Sequence, residues 1–157
     1  MGLVGLGAAF AVSTTRLQQH WLSVWLAAAA VAGAVGGTLM VRQSRIHGHT
    51  LFGAPLRKFL LCLLPAIFAG AVLTAVEWGD GNVAAVPGIW LLLYGSALIA
   101  ASATTTRFVG AMGALFVLLG GVAFLSPAST HNFLLATGFG GLHLVFGIFL
   151  GRLNHGR

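Results

Sequence analysis

The sequence predicts an all-α protein, a polytopic transmembrane helical bundle of five full spans preceded by one short apolar helix. Three observations carry this. Of the 157 residues, 58% are hydrophobic and only 6% are charged, against roughly 25% charged residues in an ordinary soluble domain. Mean hydropathy is +0.97. The apolar residues fall into stretches of about 20, the length of helix that crosses a hydrocarbon core of about 30 Å. Charges sit singly or in pairs at the ends of those stretches. No long polar segment interrupts them, so residues 1–157 read as a single integral membrane domain.

The first apolar stretch, residues 2–12, reaches only about 16 Å, half a bilayer. Ala9-Phe10-Ala11 has the small-residue look of a signal-peptide cleavage site, but no positive segment precedes it. The stretch is expected to be a partial helix, packed against the others or cut short at its start. A polar break follows at 13–20. The first full span is predicted over 21–41, with Trp21 and Trp25 as interfacial anchors. A polar loop over 42–55 carries Arg42, Arg45, His47 and His49. The second span, 56–78, opens with Arg57 and Lys58 and contains Pro65, which is expected to kink it. Gly79-Asp80-Gly81-Asn82 is a run of turn formers. The third span, 86–104, has Pro87 in its first turn, where a missing N–H costs nothing. Thr105, Thr106 and Arg107 make a short connection to a fourth span over 108–125. A turn containing Pro127 leads to the fifth, 132–150.

Orientation follows from charge. Arg42, Arg45, Arg57, Lys58, Arg107, Arg152 and Arg157 fall on one side, and Arg16 alone on the other. The positive-inside bias predicts a bacterial cytoplasmic membrane with the C-terminus cytoplasmic. Glu77 and Asp80, the only acids, then lie on the outer side. The sequence pI of 11.6 does not signal nucleic acid, because the cations mark span ends and form no stripe that could track phosphates.

Lipid gives helices no hydrophobic reason to associate, and small residues that permit close approach hold them together. The candidate packing positions are Gly33 and Gly37 in the first span; Gly70 in the second, on a stripe with Ala66, Thr74 and Glu77; Gly88 and Gly95 in the third, in heptad spacing with Ser102; Gly113 in the fourth, with Gly110, Ala114 and Gly121 nearby; and Gly140, Gly147 and Gly151 in the fifth, on a stripe with His143.

Few residues can carry chemistry. His143 lies deep in the fifth span, and an ionisable group at such depth is a functional candidate by default. The plainer alternative is a neutral imidazole bonded to a carbonyl or to the Tyr94 hydroxyl. Tyr94 needs a hydrogen-bond partner wherever it is buried. Glu77 sits at the outer end of its stripe, where simple solvation beside Trp78 is the plainer reading. His20, Glu77, Asp80 and His131 share the predicted outer side, and imidazoles with carboxylates suit zinc or a similar metal. They come from separate segments without a spacing motif. His47-Gly48-His49 reads as surface loop, and Cys62 as a packed thiol. Haem would want a second axial ligand, which the spans lack, so no cofactor is expected. No pair of intramembrane acids and no nucleophile, zinc-protease or phosphate-loop motif occurs.

Leu56-Arg57-Lys58-Phe59, the run Gly70-Ala71-Val72-Leu73-Thr74, PGIWLLLYG beginning at Pro87, Met112-Gly113, and GFGGLHLVFG beginning at Gly138 together resemble a group of small multi-spanning integral membrane proteins of acidobacterial type. The resemblance covers about two-thirds of the chain. It implies a six-helix bundle whose first helix is truncated here, with both ends cytoplasmic. It marks Tyr94, Gly95 and His143 as motif residues and carries over no activity. The expected function is therefore a non-catalytic membrane subunit, regulator or scaffold acting through glycine-rich helix packing. Its partners would be the lipid bilayer and either another membrane protein or further copies of the chain, with no nucleic acid. The alternative is a small transporter or channel for a proton, ion or small solute that uses His143, Glu77 or both.

Overall fold

A helix closes its backbone hydrogen bonds within one segment, which is why apolar runs of bilayer length take that form. In the computed structural model, which describes residues 1–14, 18–46 and 54–155, the described residues are mostly helical and contain no strand. The elements are α1 (Gly2–Ser13), α2 (Trp21–Ile46), α3 (Ala54–Gly79), α4 (Val86–Ser102), α5 (Arg107–Leu125), α6 (His131–Leu135), a π-helix (Ala136–Leu142) and α7 (His143–His155). Single 3-10 turns at Gln18–His20, Val83–Ala85 and Ala128–Thr130 lead into α2, α4 and α6. Among the described residues, five stretches are long and apolar enough to cross a membrane: Trp21–Thr38, Arg57–Gly79, Val83–Ser102, Arg107–Leu125 and Ala128–Phe149. The chain is thus a helical membrane protein with five such stretches and a shorter apolar helix before them. His47, His49, Arg16 and Arg157 lie outside the described residues.

The chain forms two compact units, one of Met1–Leu51 with Leu135–Arg157 and one of Phe52–Leu134. In the second unit α4 packs against both α3 and α5. The α4–α5 pair is built on two glycines that face each other. A Cβ added to Gly95 would lie 2.7 Å from the Gly113 carbonyl oxygen, and one added to Gly113 would lie 2.7 Å from that of Gly95. Only hydrogen fits at either place. Above and below this point the pairing alternates large with small. Gly120 receives Leu92, Gly88 receives the ring of Phe124, and Gly110 receives Ser102. The heptad-spaced Gly88, Gly95 and Ser102 therefore do share one face. On α5 the register differs from the expected one. Ala114 is exposed and Gly121 faces open space, while Gly120 takes the packing role. The opposing Leu92 and Phe124 set that phase, and a run of interchangeable small residues does not reveal it. Phe116 and Leu91 are fully buried, and the Tyr94 ring meets Phe116 edge-on at 4.9 Å.

The α3–α4 contact centres on Trp90. Its ring lies against Gly70, where an added Cβ would come within 3.1 Å. Its indole Nε1 donates to Thr74 Oγ1 at 3.0 Å, and the Thr74 hydroxyl donates to the Gly70 carbonyl at 2.7 Å. Two polar groups that would be costly in hydrocarbon thus satisfy one another. α3 runs through Pro65 to Gly79. Its C-terminus turns on Gly81, whose φ of +73° suits a residue without Cβ. At the far end of α5, His131 Nε2 lies 3.0 Å from the Ala123 carbonyl and 3.3 Å from that of Ser126. Carbonyls only accept, so Nε2 carries the hydrogen and closes off the C-terminal carbonyls that the helix cannot pair itself.

In the first unit α1 lies on the π-helix and on α2, presenting Gly2, Gly5, Ala8 and Val12 as its buried side. Gly36 of α2 meets Met1, whereas Gly33 and Gly37 meet nothing within 4 Å. The fifth span is not the single α-helix expected. Glycine is a poor α-helix former, and the run Thr137-Gly138-Phe139-Gly140-Gly141 widens into π geometry before α7 resumes. Gly147 and Gly151 face open space, so the stripe drawn at α-helical spacing through Gly140, His143, Gly147 and Gly151 is not a packing stripe along its length.

Two outcomes follow for the second unit. Gly113→Ala should destabilise it by about 1–3 kcal/mol through overpacking, while Gly121→Ala should be neutral or slightly stabilising. Far-UV circular dichroism during unfolding in mixed detergent–dodecyl sulfate micelles compares them. In the same assay Thr74→Val and Trp90→Phe should each cost about 1 kcal/mol. The double variant should cost clearly less than their sum, since both remove one bond.

Candidate functional site at His143 and the π-helix

The fifth span changes character where its glycines cluster. A π-helix adds a residue to the turn, occurs mostly as short bulges, and is frequent at functional sites. Here it spans Ala136–Leu142 and delivers His143 as the first residue of α7. Gly138 and Gly140 are buried. A Cβ on Gly5 would lie 2.7 Å from the carbonyl carbon and oxygen of Phe139, and one on Gly140 would lie 2.7 Å from the side chain of Leu6. The backbones of α1 and the π-helix are therefore in direct contact, and this seat holds α1 on the bulge.

His143 is half-buried. Its Nδ1 lies 3.4 Å from the Gly138 carbonyl, a long bond. A carbonyl cannot donate, so the bond places the hydrogen on Nδ1 and leaves the neutral ring's lone pair on Nε2. The step from His143 to Gly138 spans five residues, the same step that defines the π-helix. The ring stacks on Phe139 at 6.2 Å between centroids and 16° between planes. Phe139 in turn meets Trp25 of α2 at 6.4 Å, tilted by 53°. The Gly138 carbonyl and the Phe139 ring thus both help to orient the His143 imidazole.

Tyr94 belongs to the second unit, where its ring packs on Phe116. A carbonyl partner is one of the two expected for His143, and Gly138 supplies it. Glu77 is half-buried, and its Oε2 accepts from Asn82 Nδ2 at 2.6 Å while the Asn82 N–H donates to the Glu77 carbonyl at 2.8 Å. Glu77 therefore braces the turn after α3. Asp80 and His20 are exposed, and His131 Nε2 is committed to the end of α5. Among the described residues no group of three or more His, Cys, Asp or Glu is placed to hold a metal ion. The proposed set of His20, Glu77, Asp80 and His131 is accordingly not brought together. Sequence reasoning missed Gly138, Phe139 and Trp25 as the immediate surroundings of His143. The available signal was three glycines within Gly138–Gly141, too dense for an undisturbed α-helix.

Gly5→Leu should unseat α1 and speed amide hydrogen exchange across 138–142 by about tenfold or more, as an overpacking cost of about 1–3 kcal/mol implies. Gly7→Ala, where an added Cβ meets nothing, should leave exchange unchanged. Exchange read by mass spectrometry in detergent micelles makes the comparison.

Comparison of the chain with family models, with curated proteins and with solved structures finds no match.

Proposed function

We propose that this protein is a non-catalytic subunit or scaffold of a membrane complex, acting through close helix packing and residing in a bacterial cytoplasmic membrane with its C-terminus inside. The supporting observation is α2. None of the span Trp21–Thr38 is buried. Ala30, Gly33, Ala34 and Gly37 are all exposed and recur at the i, i+3, i+4 and i+7 positions of one helix face. In lipid, small residues are found where a second helix comes close, since they contribute little against acyl chains. Elsewhere in the chain, glycines such as Gly95, Gly113 and Gly5 meet a neighbouring helix. Gly33 and Gly37 are small in the same pattern, and an added Cβ at either would meet nothing within 4 Å among the described residues.

The π-helix beside His143 favours a second reading, a small transporter or channel for a proton, ion or small solute, because such a bulge next to an oriented imidazole is a common functional arrangement. Native mass spectrometry after gentle extraction from the cell's own membrane separates the two. The subunit reading predicts a mass above the 16.2 kDa chain that resolves into a second polypeptide or further copies. That species should be lost in Gly33→Ile/Gly37→Ile while helicity is kept. A bare monomer together with proton or ion flux in liposomes that His143→Leu abolishes would replace it with the transporter reading.

A further inference from the structure

α1 grips the π-helix and the start of α7 at once. A Cβ added to Gly5 would lie 2.7 Å from the Phe139 carbonyl and 2.8 Å from the Gly140 nitrogen. One added to Gly2 would meet the Gly140 carbonyl oxygen at 2.8 Å and the side chain of Leu144. The side chain of Leu6 takes the space beside Gly140. α1 thus holds residues 139, 140 and 144, and His143 falls between them in the chain. Two pairs in this cluster are five residues apart: Phe139 and Leu144, both held by α1, and Gly138 and His143, joined by the carbonyl–imidazole bond. In a π-helix five residues close a turn, so both pairs lie on one side of it. In an α-helix five residues advance by about 500°, which leaves the members of each pair about 140° apart round the axis.

α geometry is within reach of the same residues. α6 and α7 are α-helical on either side, residues 136–142 contain no proline, and a Cβ on Gly141 would meet nothing within 4 Å. Glycine at 138, 140 and 141 leaves the backbone few side chains to carry through a change of turn. Closing the wide turn would break the hold of α1 and the Gly138–His143 bond together. We propose that α1 and the π-helix form a two-state device that sets the direction of the His143 ring. Seated α1 keeps the wide turn and holds the imidazole on Gly138. When α1 withdraws, 136–142 takes α geometry, and His143 leaves Gly138 and turns with α7 by one residue step, about 100°. The device depends on helix packing within the first unit and not on the small-residue face of α2, so its failure would leave the subunit reading standing.

The test is a pair of distances between nitroxide labels, read by double electron–electron resonance on the full chain in detergent micelles. Cys62→Ala first removes the single native thiol. Phe133→Cys, before the π-helix, is then labelled together with Ile148→Cys in one sample and with Phe149→Cys in another, all three positions being exposed. Residues 148 and 149 are about 100° apart on α7, so a turn of α7 changes the two distances unequally. At a helix radius of about 5 Å that turn carries a label about 8 Å sideways. Gly5→Leu should produce this unequal change, and Gly7→Ala, whose added Cβ meets nothing, should produce none. Deleting Gly141 removes the residue that the wide turn accommodates, so Gly5→Leu in that background should leave both distances as they were. Should Gly5→Leu lose helicity, Gly2→Ala carries the same comparison. Unchanged distances in the folded variant overturn the proposal, whether α1 has left its seat or kept it. An equal change in the chain without Gly141 also overturns it, because no wide turn is then left to close.

Discussion

Backbone contact between helices is the constraint on which the rest of this protein depends. In water the burial of apolar side chains drives helices together, but lipid tails are as apolar as leucine and that term vanishes. What remains is dispersion, which falls steeply with a fraction of an ångström of gap. Gly95 and Gly113 show how the sequence meets this. Each occupies the point at which the other's carbonyl comes closest, so a methyl group on either would force α4 and α5 apart along their length. The large residues of the hairpin follow from that point. Leu92 fills the notch at Gly120, Phe124 the notch at Gly88, and Phe116 is buried one position from Val117, whose N–H side abuts Gly95. The same device recurs in the first unit, where Gly5 rests on the peptide between Phe139 and Gly140. There it has a further consequence, because the backbone it contacts is the π-helix that carries His143.

Much of this was legible from residue order. Five runs of bilayer length and one half-length run become five long apolar helical stretches and α1, because backbone satisfaction in lipid admits few alternatives. The heptad of Gly88, Gly95 and Ser102 lies on the side of α4 that meets α5, and Gly70 and Gly113 also lie against a neighbouring helix. Periodicity failed where every nearby residue was small. On α5 the choice between Gly120 and Gly121 depends on where Leu92 points, which is a property of the partner helix. Along the fifth span the pattern assumed 3.6 residues per turn, and the π-helix breaks that assumption between Gly140 and His143. The candidate site was therefore half legible. His143 stands out by type and depth, but Gly138 as its carbonyl partner requires the five-residue step that only the bulge provides.

Polar groups in these helices turn inward on their own backbone. The hydroxyls of Ser13, Thr14, Thr38, Ser102 and Thr104 donate to carbonyls three residues back, and those of Thr74 and Thr105 to carbonyls four back. His131 and His143 likewise lie against carbonyls. Among the described residues no buried side-chain nitrogen or oxygen lacks a hydrogen-bond partner. This is what a low-dielectric surrounding demands, since an unpaired polar group there costs several kcal/mol on the order of water-to-hydrocarbon transfer. A ligand entering such an interior would have to displace a bond already made. A ligand approaching from outside would not. Among the described residues, the small-residue face of α2 meets nothing at Gly33 and Gly37. Function read from this fold is therefore sought first at its surfaces toward neighbouring helices and lipid, with His143 as the interior exception because the π-helix around it sets the orientation of its ring through the Gly138 carbonyl and the Phe139 face.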